Sequence, residues 1–119
     1  MRTQQIGRYG EDLAARFLIK QGFKILARNW RTRYGELDLV VRLGQVIHFV
    51  EVKTRTSLKT GEPEEAINHF KLRRLQLAAQ SFLCAYKLGE PQCQFDSVAI
   101  VLNLKTETAK IRLKESIFF

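Results

Sequence analysis

Residues 35–55 constrain the fold more than any other part of the sequence, because two runs rich in apolar and β-branched residues flank a short connection there. The connection contains Gly44, which can adopt the positive φ that a two-residue hairpin loop needs. Loop length fixes strand register, so Leu43 is expected to pair with Val46. The sequence therefore predicts a β-hairpin whose cross-strand partners can be named.

This register brings charged residues together. It places Asp38 opposite Glu51 and Glu36 opposite Lys53, whereas a three-residue loop with a bulge would move Asp38 off its direct partner. Two facing carboxylates destabilise a sheet unless a cation lies between them, and hard divalent cations prefer oxygen ligands. A solvated edge with an exposed Glu51–Lys53 charge ladder is the alternative. The apolar neighbours along both strands predict burial and favour a functional site.

The charge balance indicates an anionic partner. The chain has 119 residues, which suits one domain spanning 1–119, with a net charge of +8 and a pI of about 9.9. Nucleic acid is the first expectation and a membrane surface the second. The sequence contains no apolar run of membrane-spanning length and no signal-peptide core. Cys84 and Cys93 match no metal-ligand spacing, which suggests free thiols and a cytoplasmic location.

Periodicity and breaker residues predict two helices and five strands. A helix is expected to connect the third and fourth strands, and a right-handed crossover would make these two strands parallel. The expected architecture is α/β: one mixed five-stranded sheet with helices on both sides, in the order helix-β-β-β-helix-β-β. Outside the hairpin, the predicted elements are a helix over Gln4–Gln21, a strand over Phe23–Trp30, a helix from Pro63 to about Lys87, and strands over Phe95–Leu102 and Ala109–Lys114.

Two further ionisable residues have ambiguous positions. Glu11 shares a helix face with Ala14 and Leu18, which should pack on the sheet. It is either a surface acid beside that contact or a third carboxylate directed at the hairpin site, and the helix alone does not favour one over the other. His48 faces away from Glu51 on its strand, so a core or helix-facing histidine is expected there rather than a metal ligand.

Basic residues are concentrated near Trp30 and Tyr34 and in the first half of the second helix. Basic side chains mixed with aromatics can hold phosphates and stack on bases, although a charge run on a helix is usually a solvated face. The polar segment from Thr56 to Glu62 is expected to form a loop at the rim of a cleft. The candidate nucleic-acid-binding residues are Arg31, Arg33, Arg55, Lys59, Lys71 and Arg74.

An acid on the first helix (Glu11), an acid on the second strand (Asp38) and Glu51-Val52-Lys53 on the third strand follow one another in this order. This order resembles the PD-(D/E)XK nuclease superfamily, and within it the YraN-like family of small bacterial proteins of uncharacterised function. The superfamily includes restriction enzymes and archaeal Holliday-junction resolvases, and the latter are similar in the spacing of the acids. The resemblance implies a three-layer α/β/α restriction-endonuclease-like fold. It is carried by Gly7-Arg8-Tyr9-Gly10-Glu11, Arg28-Asn29-Trp30-Arg31, Gly35-Glu36-Leu37-Asp38-Leu39-Val40, Phe49-Val50-Glu51-Val52-Lys53-Thr54-Arg55 and Phe95-Asp96-Ser97-Val98.

The same resemblance implies hydrolysis of DNA phosphodiesters with Mg²⁺ or Mn²⁺ as cofactor, and branched or otherwise structured DNA is one candidate substrate. In the mechanism it implies, Asp38 and Glu51 bind the metal, and Glu11 binds a metal-coordinated water or a second ion. Lys53 holds or helps deprotonate the attacking water. Glu36, opposite Lys53, would orient the amine. The alternative is a non-catalytic nucleic-acid-binding module on the same fold. DNA is favoured over RNA as the partner, and the oligomeric state, including a homodimer, is left open.

Overall fold

The predicted hairpin forms the centre of a mixed sheet. In this computed structural model, residues 2–56 and 69–117 are described, and within them the sheet has five strands. The order of elements is the predicted one, whereas the predicted start of the second helix at Pro63 lies outside the described residues. The elements are α1 (Thr3–Lys20), β1 (Lys24–Thr32), β2 (Gly35–Leu43), β3 (Val46–Arg55), α2 (His69–Ala85), β4 (Gln92–Asn103) and β5 (Thr108–Lys114).

The strands lie in the sheet in chain order, from β1 to β5. The pairs β1–β2, β2–β3 and β4–β5 are antiparallel, and β3–β4 is parallel. The connection that contains α2 joins β3 to β4, and the predicted parallel pairing of these two strands is confirmed. The mixed sheet follows from these connections, because tight turns join antiparallel neighbours and a parallel neighbour needs a long connection.

The hairpin register is confirmed near the turn and wrong further out. Gly44 has a φ of 60°, and the pairing runs from Leu43 opposite Val46 to Leu39 opposite Val50. There the ladder stops, so the predicted direct pairs of Asp38 with Glu51 and of Glu36 with Lys53 do not form. The next main-chain donor on β3, Val52 N, donates to Asp38 Oδ2 at 2.8 Å. A side-chain oxygen thus takes the place of a backbone acceptor, because the two strands separate at this point.

Each face of the sheet carries one helix, which gives three α/β/α layers. On one face, Ala14 and Leu18 of α1 pack with Val41 and Val50 in a buried apolar cluster. On the other face, α2 packs through Ala78, Ala79 and Phe82 on a second cluster that contains Val40 and Phe49. Within the residues described, neither helix is long and apolar enough to span a membrane.

Helix α1 approaches β3 closely at one glycine. A Cβ atom added to Gly10 would lie 1.9 Å from Thr54 Oγ1 and 2.9 Å from Thr54 Cβ. Only a glycine at position 10 therefore allows α1 to lie this close to β3. The short distance between helix and strand determines where the next residue, Glu11, lies relative to the sheet. Asp12 is directed away from this contact and forms an ion pair with Arg28 of β1.

His48 is buried, as expected for a histidine on the core side of β3. Its Nδ1 atom lies 2.6 Å from Asp96 Oδ2 on β4, and its ring contacts Phe23 edge to face. Asp96 Oδ1 accepts hydrogen bonds from Gln94 Nε2 at 3.0 Å and from Ser116 N at 2.9 Å. The buried polar groups are thus satisfied within the core, and they attach the segment after β5 to the sheet.

Candidate functional site

A local irregularity in β2 positions Asp38. On a regular strand, residues two apart lie on the same face, yet Leu37 packs in the cluster under α2 and Leu39 in the cluster under α1. The ladder with β1 passes over Asn29 and Asp38, and Asn29 has a φ of 51°. The left-handed backbone of Asn29 interrupts β1 opposite Asp38, and the face assignment of β2 reverses across Asp38. The carboxylate therefore lies at the opening between β2 and β3.

Three carboxylates converge at this opening. Glu11, Glu36 and Asp38 each offer an oxygen, and these oxygens lie within 4.8 Å of one another; we call this set the acid cluster. Glu11 is thus directed at the hairpin, as in the second of the two positions considered for it from the sequence. The predicted role of Glu36 as the partner of Lys53 is wrong in this geometry. Glu36 lies in the acid cluster and forms an ion pair with Arg31 at 3.3 Å, since it is opposite Arg31 in the β1–β2 ladder.

Proton affinity in the acid cluster is raised. Burial, together with the negative charges of Glu11, Glu51 and Glu36, raises the pKa of Asp38 from 3.8 to about 6, against a lowering by the Val52 hydrogen bond. Burial and the charge of Glu36 also raise the pKa of Glu11, although a hydrogen bond from Asn29 opposes them. Carboxylates that are crowded and desolvated in this way are stabilised by a bound cation.

Glu51 lies beside the acid cluster, but its carboxylate forms ion pairs with two lysines. Its Oε1 atom is 3.2 Å from Lys53 Nζ and 2.8 Å from Lys71 Nζ, and its side chain is 13% exposed. Burial lowers the pKa of Lys71, and the hydrogen bond and charge of Glu51 outweigh this, so the net pKa is raised. Lys53 shares a face of β3 with Glu51, as predicted, whereas Lys71 reaches the same carboxylate from α2.

Two members of the acid cluster, Glu36 and Asp38, line one open cavity of about 350 Å³ between the β2–β3 opening and α2, together with Glu51, Lys53 and Lys71. Its walls combine charged and apolar side chains. The charged members include Glu36, Asp38, Glu51, Lys53, Lys71 and Arg74, and the apolar and aromatic members include Tyr34, Leu37, Phe49, Leu75, Ala78, Phe95 and Ile117.

The predicted phosphate-binding residues divide into three groups. Lys71 and Arg74 line the cavity, and Arg31 touches its acidic wall through Glu36. Arg33 and Arg55 are not among the cavity-lining residues; Arg33 donates a hydrogen bond to the Tyr34 hydroxyl at 2.7 Å. Lys59, with the predicted rim loop from Thr56 to Glu62, lies outside the described residues except for Thr56.

Sequence reasoning missed three contributions to the site. Asn29 interrupts the β1–β2 ladder opposite Asp38 and donates to Glu11, and Gly10 allows the close approach of α1. Both lie in segments that carry the family resemblance, which was the available signal. Lys71 was assigned to phosphate alone, because nothing in the sequence relates α2 to Glu51 across the sheet.

The comparisons with known proteins concern sequence. Residues 10–100 match the model of a family described as uncharacterised protein family UPF0102. A UPF0102 protein of Caldicellulosiruptor saccharolyticus is 42% identical over 118 residues, which cover 99% of this chain and 100% of the relative. A UPF0102 protein of Syntrophomonas wolfei is 48% identical over 101 residues, covering 85% of this chain and 88% of the relative. One of Rhodococcus opacus is 46% identical over 98 residues, covering 82% and 83%.

Proposed function

The chain belongs to the uncharacterised protein family UPF0102, which lies in the restriction-endonuclease-like superfamily, and we propose that it is a metal-dependent nuclease that hydrolyses DNA phosphodiesters. The observation that carries the proposal is the convergence of Glu11, Glu36 and Asp38 on one opening of the sheet. These acids come from α1 and β2, so the tertiary fold itself brings like charges together. Repulsion between clustered carboxylates destabilises a fold, so such clusters occur mainly at functional sites.

The donor chemistry fits Mg²⁺ or Mn²⁺. All donors of the acid cluster are carboxylate oxygens, and their spacing allows a single hard cation to contact all three residues. Glu51 is the fourth acid of the site. It lies close enough to Asp38 for its negative charge to raise the pKa of Asp38. A divalent ion held by these groups would supply charge neutralisation at the phosphate and a more acidic bound water.

The amines next to the acids provide positive charge from the protein itself. Lys53 and Lys71 meet at Glu51 Oε1, and both line the cavity. An ammonium group donates up to three hydrogen bonds, so each lysine can keep one bond to Glu51 and donate another to a phosphate oxygen. Lys53 follows Glu51 on the same strand face and is the residue that would orient the attacking water or stabilise the negative charge of the transition state.

The entrance to the cavity is suited to a nucleic-acid backbone. Arg74 lines it, and the Arg74 guanidinium lies 5.7 Å from the ring centroid of Phe70, which is 72% exposed. Basic and aromatic groups side by side can hold a phosphate and stack on a base. The net charge of +8 would also attract DNA electrostatically at long range.

A nucleic-acid-binding module without cleavage is the second candidate, and one observation favours it. Glu51 is neutralised by Lys53 and Lys71 of the protein itself, so this acid has a cationic partner without a metal. In that function, the basic entrance would bind DNA and the acid cluster would serve only ion-linked stability. The two candidates share the binding surface and differ in chemistry.

A cleavage panel tests the proposal. End-labelled duplex, single-stranded, flapped and four-way-junction DNA, with RNA counterparts, are incubated with the protein in Mg²⁺, in Mn²⁺ and in chelator. We expect cutting in either metal and none in chelator. Glu11→Gln should abolish cutting, whereas Asp12→Asn, at the next residue of α1 and paired with Arg28 outside the cavity, should cut like the wild type.

The outcomes separate the candidates. DNA binding that persists with no cutting in either metal supports the binding module and overturns the nuclease proposal. Cutting that is equally lost in Glu11→Gln and Asp12→Asn would indicate general damage to α1 rather than loss of a ligand. Cutting that survives in chelator would argue against the acid cluster as a metal site.

A further inference from the structure

The cavity that holds the charged groups also contains apolar surface for which phosphodiester chemistry has no use. At the charged end, Glu51 and the two lysines that contact it are sufficient to bind a phosphate and a metal ion. At the other end, the wall is formed by Phe49, Phe95, Leu75 and Ile117. A ligand that fills the whole cavity must therefore carry a charged group at one end and be apolar at the other, and Lys53, Lys71 and Arg74 can hold an anionic group at the charged end.

The strands place the aromatic end one step from the acid. Phe49 precedes Glu51 by two residues on β3, so the two share a face and lie about 7 Å apart along the strand. Phe95 is the partner of Phe49 on the parallel strand β4, and their rings are stacked with centroids 5.4 Å apart and an interplanar angle of 28°. The two rings form a firm aromatic wall beside the charged groups.

Helix α2 shows the same change along the opposite wall. The cavity-lining residues Lys71, Arg74, Leu75 and Ala78 have the spacing of one helical stripe. The first two are cationic and the last two are apolar, so the stripe changes character within about 10 Å of helix. Both walls thus change from charged to apolar in the same direction.

The apolar end is open to a ligand. Tyr34, Leu75, Phe95 and Ile117 are half-buried, unlike Phe49 and the fully packed cluster behind them. Apolar surface of this kind is stabilised when a ligand removes it from water. The cavity volume of about 350 Å³ is within the range of small-ligand sites.

We propose that the apolar end binds the base of a nucleotide that has left the base stack, while its phosphate lies at Lys53 and Lys71. A base presents a planar π-face to aromatic side chains and requires no particular sequence. In an intact duplex the bases are stacked inside the helix, so a paired nucleotide cannot fill this end without being extruded. The protein therefore prefers strands with unpaired nucleotides. This proposal assumes that the partner is a nucleic acid, as in the proposed function, but it does not assume that the protein cleaves it.

The first test measures the contribution of the base without any reaction. Thymidine 5′-monophosphate, deoxyribose 5-phosphate and inorganic phosphate are titrated into the metal-free protein, and methyl resonances of Leu75, Ala78 and Ile117 are followed by NMR. The nucleotide should bind about tenfold more tightly than the sugar phosphate, because stacking adds to the phosphate contact. Only the nucleotide should shift these methyl resonances. Equal affinities, or unshifted methyls, overturn the proposal.

Variants locate the effect. Leu75→Trp fills the apolar end and should remove the tenfold advantage of the nucleotide while leaving phosphate binding intact. Leu83→Trp is the matched control, since Leu83 lies two turns further along α2 and does not line this cavity. Thermal melting of both variants verifies folding. A nucleotide advantage that survives in Leu75→Trp, or falls equally in Leu83→Trp, contradicts the assignment.

The second test distinguishes a strand from a free nucleotide. Duplexes of one sequence, either fully paired or with a single unpaired thymidine, are compared with the same bulged duplex in which that thymidine is abasic. We expect the bulged duplex to bind about tenfold more tightly than the other two, in chelator and without cutting. If thymidine monophosphate binds but the bulge gives no advantage, the cavity takes free nucleotides and the strand assignment falls. Because both tests read binding, their failure is distinguishable from absence of metal-dependent cutting.

Discussion

Replacing Asp38 with Asn should stabilise the metal-free protein, which is unusual for a change at a largely buried polar residue. The folded state raises the pKa of Asp38 from 3.8 to about 6, mainly through burial and the neighbouring acids. At 1.36 kcal/mol per pKa unit, the ionised carboxylate costs about 3 kcal/mol at neutral pH. An asparagine keeps an oxygen that can accept the Val52 hydrogen bond, and it carries no charge. For a chain of this size, the gain corresponds to about 10 °C in melting temperature.

The pH dependence identifies the cause. In the unfolded chain Asp38 loses its proton near pH 3.8, whereas in the folded chain it keeps the proton up to about pH 6. The folded state therefore binds more protons within this window, and the stability of the wild type should fall as pH rises through it. The advantage of Asp38→Asn should be small below pH 4, grow up to about pH 6 and then stay constant.

The assay is thermal and chemical unfolding of the wild type, Asp38→Asn and Asp12→Asn from pH 3.5 to 8, in chelator and in Mg²⁺. Asp12→Asn makes the same chemical change in an exposed ion pair with Arg28 and should shift stability by less than about 1 kcal/mol. Mg²⁺ should stabilise the wild type more than Asp38→Asn, because the substitution removes a ligand charge. A loss of stability in Asp38→Asn at pH 7 in chelator would refute the reasoning and make Asp38 a structural partner.

Three further predictions concern chemistry, packing and affinity. Lys53→Ala should lower the cleavage rate at least 100-fold while changing DNA affinity less than about threefold, because one lysine among several basic groups contributes little to binding and its main contribution is to the transition state. Equal losses in both would contradict this. Gly10→Ala should lower the unfolding free energy by about 1–3 kcal/mol through the clash with Thr54, whereas Gly7→Ala, whose added Cβ meets nothing within 4 Å, should raise it by up to about 1 kcal/mol. Unchanged melting of Gly10→Ala would show that α1 can move away. Arg74→Ala should reduce the salt dependence of DNA binding by about one phosphate contact, without changing sequence preference, and an unchanged slope would place Arg74 outside the interface.

The acid cluster shows where register reasoning reaches its limit. The loop at Gly44 fixed five pairs of the hairpin, because a two-residue turn leaves no other pairing near it. Extending the same register to Asp38 failed, since the strands separate where Asn29 adopts a left-handed conformation in β1. Asparagine adopts the left-handed conformation more often than most residues do, but the sequence does not indicate which asparagine of a chain does so. The sequence therefore placed Glu51 opposite Asp38, and the fold placed Glu11 and Glu36 beside it instead.

The sequence by itself determined the order of elements and the parallel β3–β4 pair, and it was sufficient to propose Asp38, Glu51 and Lys53 as candidate site residues. These follow from local rules of periodicity, turn chemistry and connection length, together with the family resemblance. Only the tertiary structure decided which groups meet: Glu11 with the β2 acids, and Lys71 with Glu51. The reason is physical, because such contacts depend on how closely two helices approach opposite faces of a twisted sheet, and packing sets that distance rather than any spacing along the chain.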